Sequence, residues 1–500
     1  MERDRTEPPS SRGGAWLWLP LGALLLLLST GRFSVPLAAW LAPVFLIRFF
    51  RRRRVLVGSL LILLGLWVAY AISWRAILSF APFDQLPFFL ILALLMAVNG
   101  YLPLLADRLL APRLKGLPGS LVFPLAMTAT WLLYNLASPI GGFGTLGYEQ
   151  YPNLALTQLA SLTGLWGITF LVSWFGALAN WAWERSFRWP EVRGGALLYG
   201  VILGAVLLYG GLRLALAEPL PGTVRIHGVS QPEEVYDRLR ALPAGDREAL
   251  RGGRLQLSEA FLEATVREAR RGAQIVLWPE MAAGGEEQDA QETLARAKQV
   301  AAQEGIYLAL GLMIEFPGTD RLTENRLIVV DPSGEVVIDH VKYGGVLLDG
   351  KLPGDRILRL AETPYGTLSG IVCYDGDYPL VVGQAGRRGV DILLIAHGEP
   401  NRAVARLHVA QHVFRAIENG VSLFRQDATK GFSFATDPYG RILASVDSLT
   451  TSERLTVAQV PTHGVRTVYA VIGDLFGWAS VAGFVGLAIW AVVAGRRRGA

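Results

Sequence analysis

Long apolar runs fill most of the first 216 residues of this chain, and no other feature restricts its fold as strongly. A helix that crosses a bilayer needs about 20 mainly apolar residues. Runs near this length cover residues 14–31, 34–50, 55–73, 86–106, 118–138, 155–182 and 194–216, and an eighth covers 468–495. Because lipid offers the backbone no hydrogen-bond partners, these runs must be helical. The sequence therefore predicts an α-helical polytopic membrane bundle of about eight spans.

The charged residues fit a membrane protein better than a nucleic-acid-binding protein. Hydrophobic residues make up 52% of the chain and charged residues 18%, with a net charge of +5. The basic residues of the apolar part form short clusters between the runs, where membrane topology puts them. We therefore expect no nucleic-acid partner. The single cysteine excludes an intramolecular disulfide and leaves the redox compartment open.

The positions of Lys and Arg predict how the chain crosses the membrane. Basic clusters precede the first span and follow the second, fourth, sixth and last spans, and the other loops hold almost none. The clusters are Arg3, Arg5 and Arg12; Arg51 to Arg54; Arg108, Arg113 and Lys115; Arg185, Arg188 and Arg193; and Arg496 to Arg498. Since basic loops stay in the cytoplasm, both termini are predicted to be cytoplasmic. No small-residue cleavage site follows the first run, so we expect an uncleaved helix there.

Composition divides the chain into three parts. Residues 1–217 form the predicted membrane domain, 218–466 have the charged composition of a globular domain, and 467–500 hold the last span and a basic tail. With seven spans before it, the middle domain is predicted to be extracytoplasmic. Strands are predicted near 224–229, 274–278, 306–312, 327–331, 335–341, 370–372, 391–396, 422–425, 432–436 and 441–445, and helices at 257–271, 290–304 and 403–419. This alternation predicts an α/β domain with helices outside its sheets.

Three of these predicted strands end in residues suited to acyl chemistry. Glu280 follows LWP at 277–279, Lys342 ends the run VVIDHV at 336–341, and Cys373 follows GIV at 370–372. A thiol attacks a carbonyl group as the thiolate, so it needs a nearby base or positive charge. A glutamate can take the thiol proton, and an ammonium group can stabilise the tetrahedral oxyanion. The pattern therefore predicts an enzyme that uses a cysteine nucleophile.

Each residue alone also has an ordinary explanation. Cys373 could be a small buried core residue, Glu280 a helix N-cap, and Lys342 a solvated surface lysine; only their joint order favours catalysis. His408 and His412 are four residues apart on a predicted helix but lack a third ligand in the sequence, so we expect an ordinary helix face. With no glycine-rich phosphate loop either, neither a metal nor a cofactor is predicted.

The order Glu–Lys–Cys resembles the nitrilase, or carbon–nitrogen hydrolase, superfamily. Together with the apparent spans it resembles the apolipoprotein N-acyltransferase family. The matching segments are LWPE at 277–280, VKY at 341–343, IVCYD at 371–375 with YP at 378–379, RAIENG at 415–420, DATKG at 427–431, DPYG at 437–440 and GTLGYEQ at 144–150.

This resemblance implies an αββα sandwich on the outer face of a bacterial inner membrane. It implies transfer of an acyl chain from a phospholipid to a cysteine thioester, and then to the α-amino group of a lipoprotein's lipid-modified N-terminal cysteine. Glu280 is then the general base and acid, Lys342 the oxyanion stabiliser and Cys373 the nucleophile. Tyr374 and Asp375 are expected to support the site. No cofactor is implied, and one chain that carries all these parts suggests a monomer.

The chain departs from the family pattern in three segments. YGGVLLDG at 343–350 replaces a Leu-Val-Pro-Phe-Gly-Glu run, which leaves at best Asp349 as its supporting carboxylate. Asp375 replaces a glutamate, and AHGEPN at 396–401 replaces Ser-Asn-Asp-x-Trp-Phe. Two alternatives therefore stay open: a membrane-tethered nitrilase-type amidase that hydrolyses a small amide, and a non-catalytic protein or transporter. Transport is disfavoured because the spans hold almost no ionisable residues.

Overall fold

The computed structural model describes residues 16–79, 84–114, 116–138, 141–217, 221–243, 245–345, 350–451 and 454–499. Arg3, Arg5, Arg12, Lys115 and Asp349, together with the side chains of Arg496 to Arg498, lie outside the described residues. The first part of the chain is helical: α1 Trp18–Ser29, α2 Pro36–Arg51, α3 Val55–Trp74, α4 Leu86–Leu110, α5 Leu117–Ala137, α6 Leu154–Thr157, α7 Ala160–Thr163, α8 Leu165–Glu184 and α9 Trp189–Ala215. The middle part adds α10 Glu233–Arg240, α11 Arg247–Arg270, α12 Glu287–Glu304, α13 Pro379–Arg387 and α14 Arg402–Asn419. Two helices end the chain, α15 Val468–Ile472 and α16 Leu475–Gly499.

Six helices among the described residues are long and apolar enough to cross a membrane. They are Val55–Trp74, Leu86–Arg113, Leu117–Ala137, Leu165–Glu184, Trp189–Ala215 and Leu475–Gly495. The first two predicted spans correspond to α1 and α2, which have 12 and 16 residues. At 1.5 Å per residue, these described helices reach roughly 18 and 24 Å, against about 30 Å of hydrocarbon. The predicted count of about eight spans is therefore not confirmed.

A buried ion pair joins the helices of the bundle at one end. Arg51 at the end of α2 donates two hydrogen bonds to Asp107 of α4, at 2.6 and 2.7 Å, and one to Glu184 at the end of α8. Asp107 is buried, so its charge requires this partner. The contacts fix three helices at the end that the basic clusters predict to be cytoplasmic.

The middle of the chain folds into two β-sheets. Their strands are β1 Thr223–Val229, β2 Ile275–Leu277, β3 Ala283–Glu286, β4 Tyr307–Glu315, β5 Glu324–Val330, β6 Val336–Val341, β7 Leu360–Thr363, β8 Gly366–Val372, β9 Ile392–His397, β10 Ser422–Asp427, β11 Phe432–Thr436, β12 Ile442–Asp447 and β13 Leu455–Pro461. The first sheet has the order β13-β1-β2-β4-β5-β6, and β3 also pairs with β4. The second has the order β12-β11-β10-β9-β8-β7. Each sheet mixes parallel central strands with antiparallel edges.

The two sheets pack face to face with helices outside, which confirms the predicted α/β sandwich. Side chains such as Leu277 of the first sheet and Leu394 of the second share one buried core. On the outer face of the first sheet, Phe261 of α11 and its neighbours form a second core. Phe414 of α14 belongs to a third core on the outer face of the second sheet. Central strands buried on both faces account for their continuous apolar sequences.

Five elements of this domain were not predicted from the sequence. They are the strands β3, β7 and β13 and the helices α10 and α13. The β3 sequence, AGGE, has no apolar alternation and depends on parallel pairing with β4. Strand β13 alternates buried and exposed residues and closes the sheet edge beside β1. Short elements of this kind form because a neighbouring strand or helix covers them, which local sequence does not record.

Helix α14 attaches the sandwich to the bundle. The guanidinium group of Arg415 donates to the hydroxyl of Tyr148, at 2.9 Å, in the loop between α5 and α6. The Glu418 carboxylate accepts from the backbone N–H of Leu165, at 3.0 Å, and forms an ion pair with Arg415 at 3.0 Å. In addition, the backbone N–H of Gly142 donates to the Asp377 carbonyl at 3.3 Å. The two parts therefore meet through buried polar contacts.

We predict that Arg415→Met lowers the apparent midpoint of thermal unfolding, at a cost of about 3–5 kcal/mol, because it leaves the Glu418 carboxyl buried without its cation. Burial raises the pKa of Glu418 to about 7 even with Arg415 present, so the variant should hold this group protonated. The double variant Arg415→Met, Glu418→Gln should recover part of the loss. Unfolding of the three detergent-solubilised proteins tests this, and an unchanged midpoint in Arg415→Met would contradict it.

Candidate active site

The three residues singled out in the sequence lie together at strand ends. Glu280 follows β2 and Lys342 follows β6 in the first sheet, whereas Cys373 follows β8 in the second. The Lys342 ammonium donates to Glu280 Oε1 at 2.7 Å, and both side chains are about 95% buried. Lys342 is therefore not the solvated surface residue of the ordinary explanation, and Glu280 is not a helix cap. A buried ion pair faces the strand that carries the thiol.

The backbone at the thiol adopts a strained conformation. Cys373 begins a short 3₁₀ turn, Cys373–Asp377, with φ at +49°, and Met281 beside Glu280 has φ at +51°. Non-glycine residues avoid this region, and such strain concentrates where a side chain must be aimed. The Cys373 Sγ atom lies 3.7 Å from the carbonyl oxygen of Gly398. A Cβ atom on Gly398 would lie 3.2 Å from Glu280 Oε2, so a larger residue would press on the catalytic carboxylate and shift it by a few tenths of an ångström.

Asp375 joins the turn that carries the thiol to the segment that carries the lysine. Its carboxylate accepts hydrogen bonds from the backbone N–H groups of Val372, Tyr343 and Gly344, at 3.0, 2.9 and 2.7 Å. His340 Nε2 lies 2.8 Å from Asp375 Oδ2, the oxygen that also accepts from Val372. Burial alone would raise the pKa of Asp375, but these hydrogen bonds and the nearby imidazole hold it below its ordinary value.

Further contacts complete the site. Asn325 Nδ2 donates to Glu280 Oε1 at 2.7 Å, on the same oxygen that accepts from Lys342. The Lys342 ammonium also lies 5.6 Å from the centre of the Tyr374 ring, within cation–π range. Tyr374 and Asp375, both expected to support the site, are thus in contact with it, and Asp349 lies outside the described residues. Asn325 was missed because an asparagine at a strand start carries no distinctive sequence signal.

The surroundings of Cys373 favour the protonated form of its thiol. Burial raises the pKa of Cys373 well above its ordinary value, and the negative charge of Glu280 raises it further, whereas the charge of Lys342 lowers it. Glu280 is therefore placed to receive the proton when the thiol attacks, rather than to sit beside a permanent thiolate. Cys373 is also buried at the border of the core, as its ordinary explanation supposed, but it lies on a strained turn beside an ion pair.

A cavity of about 430 Å³ gives access to these groups. Glu280, Lys342, Cys373, Tyr374 and Gly398 line its floor. Its remaining walls include three further cations, Arg240, Lys351 and Lys430, together with Tyr236, Met281, Gly345, Glu399, Pro400, Ala428 and Thr429. The cavity is large enough to bring an ester carbonyl to the thiol.

The expectation that His408 and His412 form an ordinary helix face is wrong. Both are fully buried on α14 and face β9 and β10. His408 Nδ1 lies 2.8 Å from Glu399 Oε2, and His408 Nε2 lies 3.1 Å from Asp377 Oδ2. The other Glu399 oxygen accepts from Arg425. The physical reason is that His397 at the end of β9 and Glu399 just after it supply partners that the helix sequence alone does not show.

Charges balance within this buried group. Burial opposes a charge on His408, but the carboxylates of Glu399 and Asp377 raise its pKa to about 9. Burial would likewise raise the pKa of Glu399, yet His408 and Arg425 hold it below its usual range. The network supports the wall of the active site, since Glu280 N–H donates to the His397 carbonyl at 3.3 Å.

This network also contains the one set of described residues with metal-ligand spacing. One ligand atom each from His397, Glu399 and His408 lie within 4.8 Å of one another. However, Arg425 already contacts the Glu399 carboxylate and supplies the positive charge that a metal ion would bring. The donor set therefore fits an ion-paired network better than a metal site.

Comparison with known proteins accounts for both parts of the chain. The family model for the apolipoprotein N-acyltransferase N-terminal domain matches residues 22–178, and the carbon-nitrogen hydrolase model matches residues 244–470. Apolipoprotein N-acyltransferase from Geobacter metallireducens is 27% identical over 442 residues, which cover 81% of this chain and 79% of that protein. This chain belongs to the apolipoprotein N-acyltransferase family.

Other known proteins are similar to parts of this family member. Apolipoprotein N-acyltransferase from Agrobacterium fabrum is 25% identical over 346 residues, 63% of each chain. Among solved structures, an amidase from Nesterenkonia sp. overlays on 48% of this chain and 92% of its own length, with 21% identity and a TM-score of 0.40. The chain is thus an enzyme of the N-acyltransferase family with a nitrilase-like domain and an apolar helical region.

We predict that the buried network makes stability depend on pH in a defined window. Because the folded-state pKa of His408 is raised from 6.5 to about 9, its contribution is fully present below pH 6.5 and is lost as the pH rises through 9. The loss should reach about 3 kcal/mol. His408→Gln should remove this part of the pH dependence.

Thermal unfolding of the detergent-solubilised protein between pH 6 and 10 measures the effect. His463→Gln is the matched control, because His463 is exposed at the edge of the sandwich. Parallel pH profiles for the wild type and His408→Gln would show that His408 does not carry the charge assigned to it.

Proposed function

We propose that this protein moves a fatty acyl chain from a phospholipid, through a thioester on Cys373, to the N-terminal amino group of an apolipoprotein. The observation that carries the proposal is the Lys342–Glu280 ion pair at 2.7 Å beside a thiol on a strained turn. Family membership supports the choice of lipid donor and lipoprotein acceptor. The small-amide hydrolase is the weaker alternative, since the curated relatives named above are N-acyltransferases.

In the first half-reaction the thiol becomes acylated. Glu280 takes the Cys373 proton while Sγ attacks the ester carbonyl carbon of the phospholipid. The resulting oxyanion is stabilised by the Lys342 ammonium and by a backbone N–H beside the nucleophile. When the C–O bond breaks, Glu280 returns the proton to the leaving alkoxide, so a lysophospholipid departs and a thioester remains.

In the second half-reaction the acceptor amine removes the acyl chain. The neutral α-amino nitrogen attacks the thioester carbonyl, and Glu280 accepts the proton that the nitrogen loses. Lys342 again stabilises the oxyanion. As the C–S bond breaks, Glu280 protonates the Cys373 sulfur, which restores the resting thiol and releases an amide. The same carboxylate thus acts as base and then as acid in each half-reaction.

The arrangement of the chain suits a donor that arrives from the bilayer. We assign residues 1–217 to the membrane domain, 218–466 to the catalytic domain and 467–500 to the last helix and tail. A second cavity, of about 240 Å³, lies between Leu132–Ser138 at the end of α5 and the catalytic domain, and Gly345 lines both it and the active-site cavity. A lipid ester could pass along this wall to Cys373. We place both termini in the cytoplasm, the catalytic domain at the periplasmic face of the inner membrane, and the active unit in a monomer.

Intact-protein mass spectrometry of the chain purified in native lipid tests the proposal. We expect a fatty-acyl adduct that hydroxylamine removes, that an acceptor lipopeptide discharges as the amide, and that Cys373→Ala lacks. Because the chain has a single cysteine, the thioester can form at one position only. An unmodified Cys373 under phospholipid turnover, with hydrolysis of small amides, would support the amidase instead.

A further inference from the structure

A third cavity, of about 370 Å³, lies away from the active site. It forms where two loops of the bundle meet α14, β11 and β12 of the sandwich, and none of its lining residues lines the active-site cavity. The lining residues are Phe33, Ser34, Tyr148, Glu149, Tyr151, Pro152, Arg406, Leu407, Val409, Ala410, Phe432, Phe434, Ile442 and Ser445. Both bundle loops belong to the side that the basic clusters predict to face outward.

Glu149 lies between this cavity and a smaller one inside the bundle, and its carboxyl group is incompletely satisfied. It lies on the 3₁₀ turn Leu146–Gln150, is only 5% exposed, and its Oε2 atom has no hydrogen-bond partner among the described residues. The turn is held firmly, because Gln150 accepts from the Trp40 indole at 2.9 Å and donates to the Pro36 carbonyl. Burial raises the pKa of Glu149 to about 8, and a hydrogen bond with Ser34 offsets only part of this. A cation bound beside this carboxyl would lower its pKa and stabilise the ionised form.

Aromatic rings surround the same space. Phe33, Tyr151, Phe432 and Phe434 all line the cavity beside Glu149. A ring face attracts an organic cation, and ammonium groups are commonly bound by several rings together with a carboxylate. The composition of this wall therefore selects an ammonium group over a metal ion, which would need more oxygen ligands.

Arg406 adds a positive charge to the lining of the cavity. It is exposed on α14 and forms no salt bridge among the described residues, although its charge also acts on the nearby Asp447 carboxylate. Arg402, one turn earlier, is instead paired with Asp447 through two hydrogen bonds of 2.8 Å. Arg406 is thus the arginine that can bind a phosphate at this cavity. A carboxylate and an arginine at one apolar cavity match a ligand that carries both an ammonium and a phosphate.

We propose that this cavity binds the headgroup of a zwitterionic, ammonium-bearing membrane phospholipid. Its ammonium contacts Glu149 and the aromatic rings, and its phosphate contacts Arg406. The occupant is a lipid rather than a soluble phosphate ester because Leu407, Ala410 and Ile442 provide apolar wall, and because the loops belong to the membrane domain. The site is distinct from the route of the acyl donor, which leads past Gly345.

A lipid bound at this cavity would affect the active site through one helix, α14. Arg406 and Ala410 of α14 line the cavity, whereas His408 of the same helix contacts Glu399 and Asp377 behind the active site. A lipid that fixes this helix would therefore support the wall that positions Cys373. The site does not depend on whether acyl transfer is the reaction.

The test uses the full-length Cys373→Ala protein and phosphatidylethanolamine with a photoreactive diazirine in its headgroup. Residues 431–441, which hold Phe432 and Phe434, lie between Lys430 and the cleavage site at Arg441 and form one tryptic peptide. We expect headgroup crosslinks on this peptide. Excess unlabelled phosphatidylethanolamine should compete, whereas water-soluble phosphoethanolamine should compete much less.

Native mass spectrometry, which measures how much lipid the protein retains, separates the contribution of the Glu149 contact from that of the Arg406 contact. Glu149→Gln should weaken phosphatidylethanolamine binding by about tenfold and leave phosphatidylglycerol unchanged, since only the ammonium contact is lost. Arg406→Gln should weaken binding of both lipids, and Arg402→Gln, the matched control, should weaken neither. Crosslinks confined to other peptides, or an unchanged lipid preference in Glu149→Gln, would overturn the proposal. Equal competition by phosphoethanolamine would show that a soluble ligand, not a lipid, is bound.

Discussion

The ion pair between Lys342 and Glu280 is the interaction on which the rest of the site depends. Two opposite charges buried beside an apolar core are tolerated only if each keeps its partner and its hydrogen bonds. Here Asn325 and the backbone of His397 add contacts to Glu280, so the pair is held from both sheets. The same pair sets the state of Cys373, because the glutamate charge favours the thiol and the lysine charge favours the thiolate.

A second constraint follows from the first. The pair belongs to one sheet and the thiol to the other, so the two sheets must be held in register at their strand ends. Asp375 does this by accepting hydrogen bonds from the turn of Cys373 and from the segment after Lys342. Behind this contact, Glu399 and His408 fix the wall through α14, which also attaches the sandwich to the bundle. The active site is thus supported from the membrane side as well as from the sandwich core.

Much of this arrangement could be predicted from the sequence, and the reasons are physical. Long apolar runs predict membrane helices. Short apolar strands that are followed by Glu280, Lys342 and Cys373 predict that these three residues lie close together, because the carboxyl ends of such strands converge. The pairing of His408 with Glu399 could not be predicted, since residues from a helix and a strand become partners only when packing brings them together. Strand β3 was missed for the same reason: its stability comes from β4 and not from its own residues.

The rate at which iodoacetamide alkylates Cys373, measured from pH 6.5 to 10, tests the central claim most directly. The single cysteine gives an unambiguous signal, and the unfolded chain gives the unperturbed reference. In Glu280→Gln the loss of negative charge should lower the thiol pKa by about one unit or more, so alkylation at neutral pH should accelerate while acyl transfer is lost. In Lys342→Met the pKa should rise and alkylation should slow. Identical profiles in all three folded proteins, or a slower reaction in Glu280→Gln, would contradict the account.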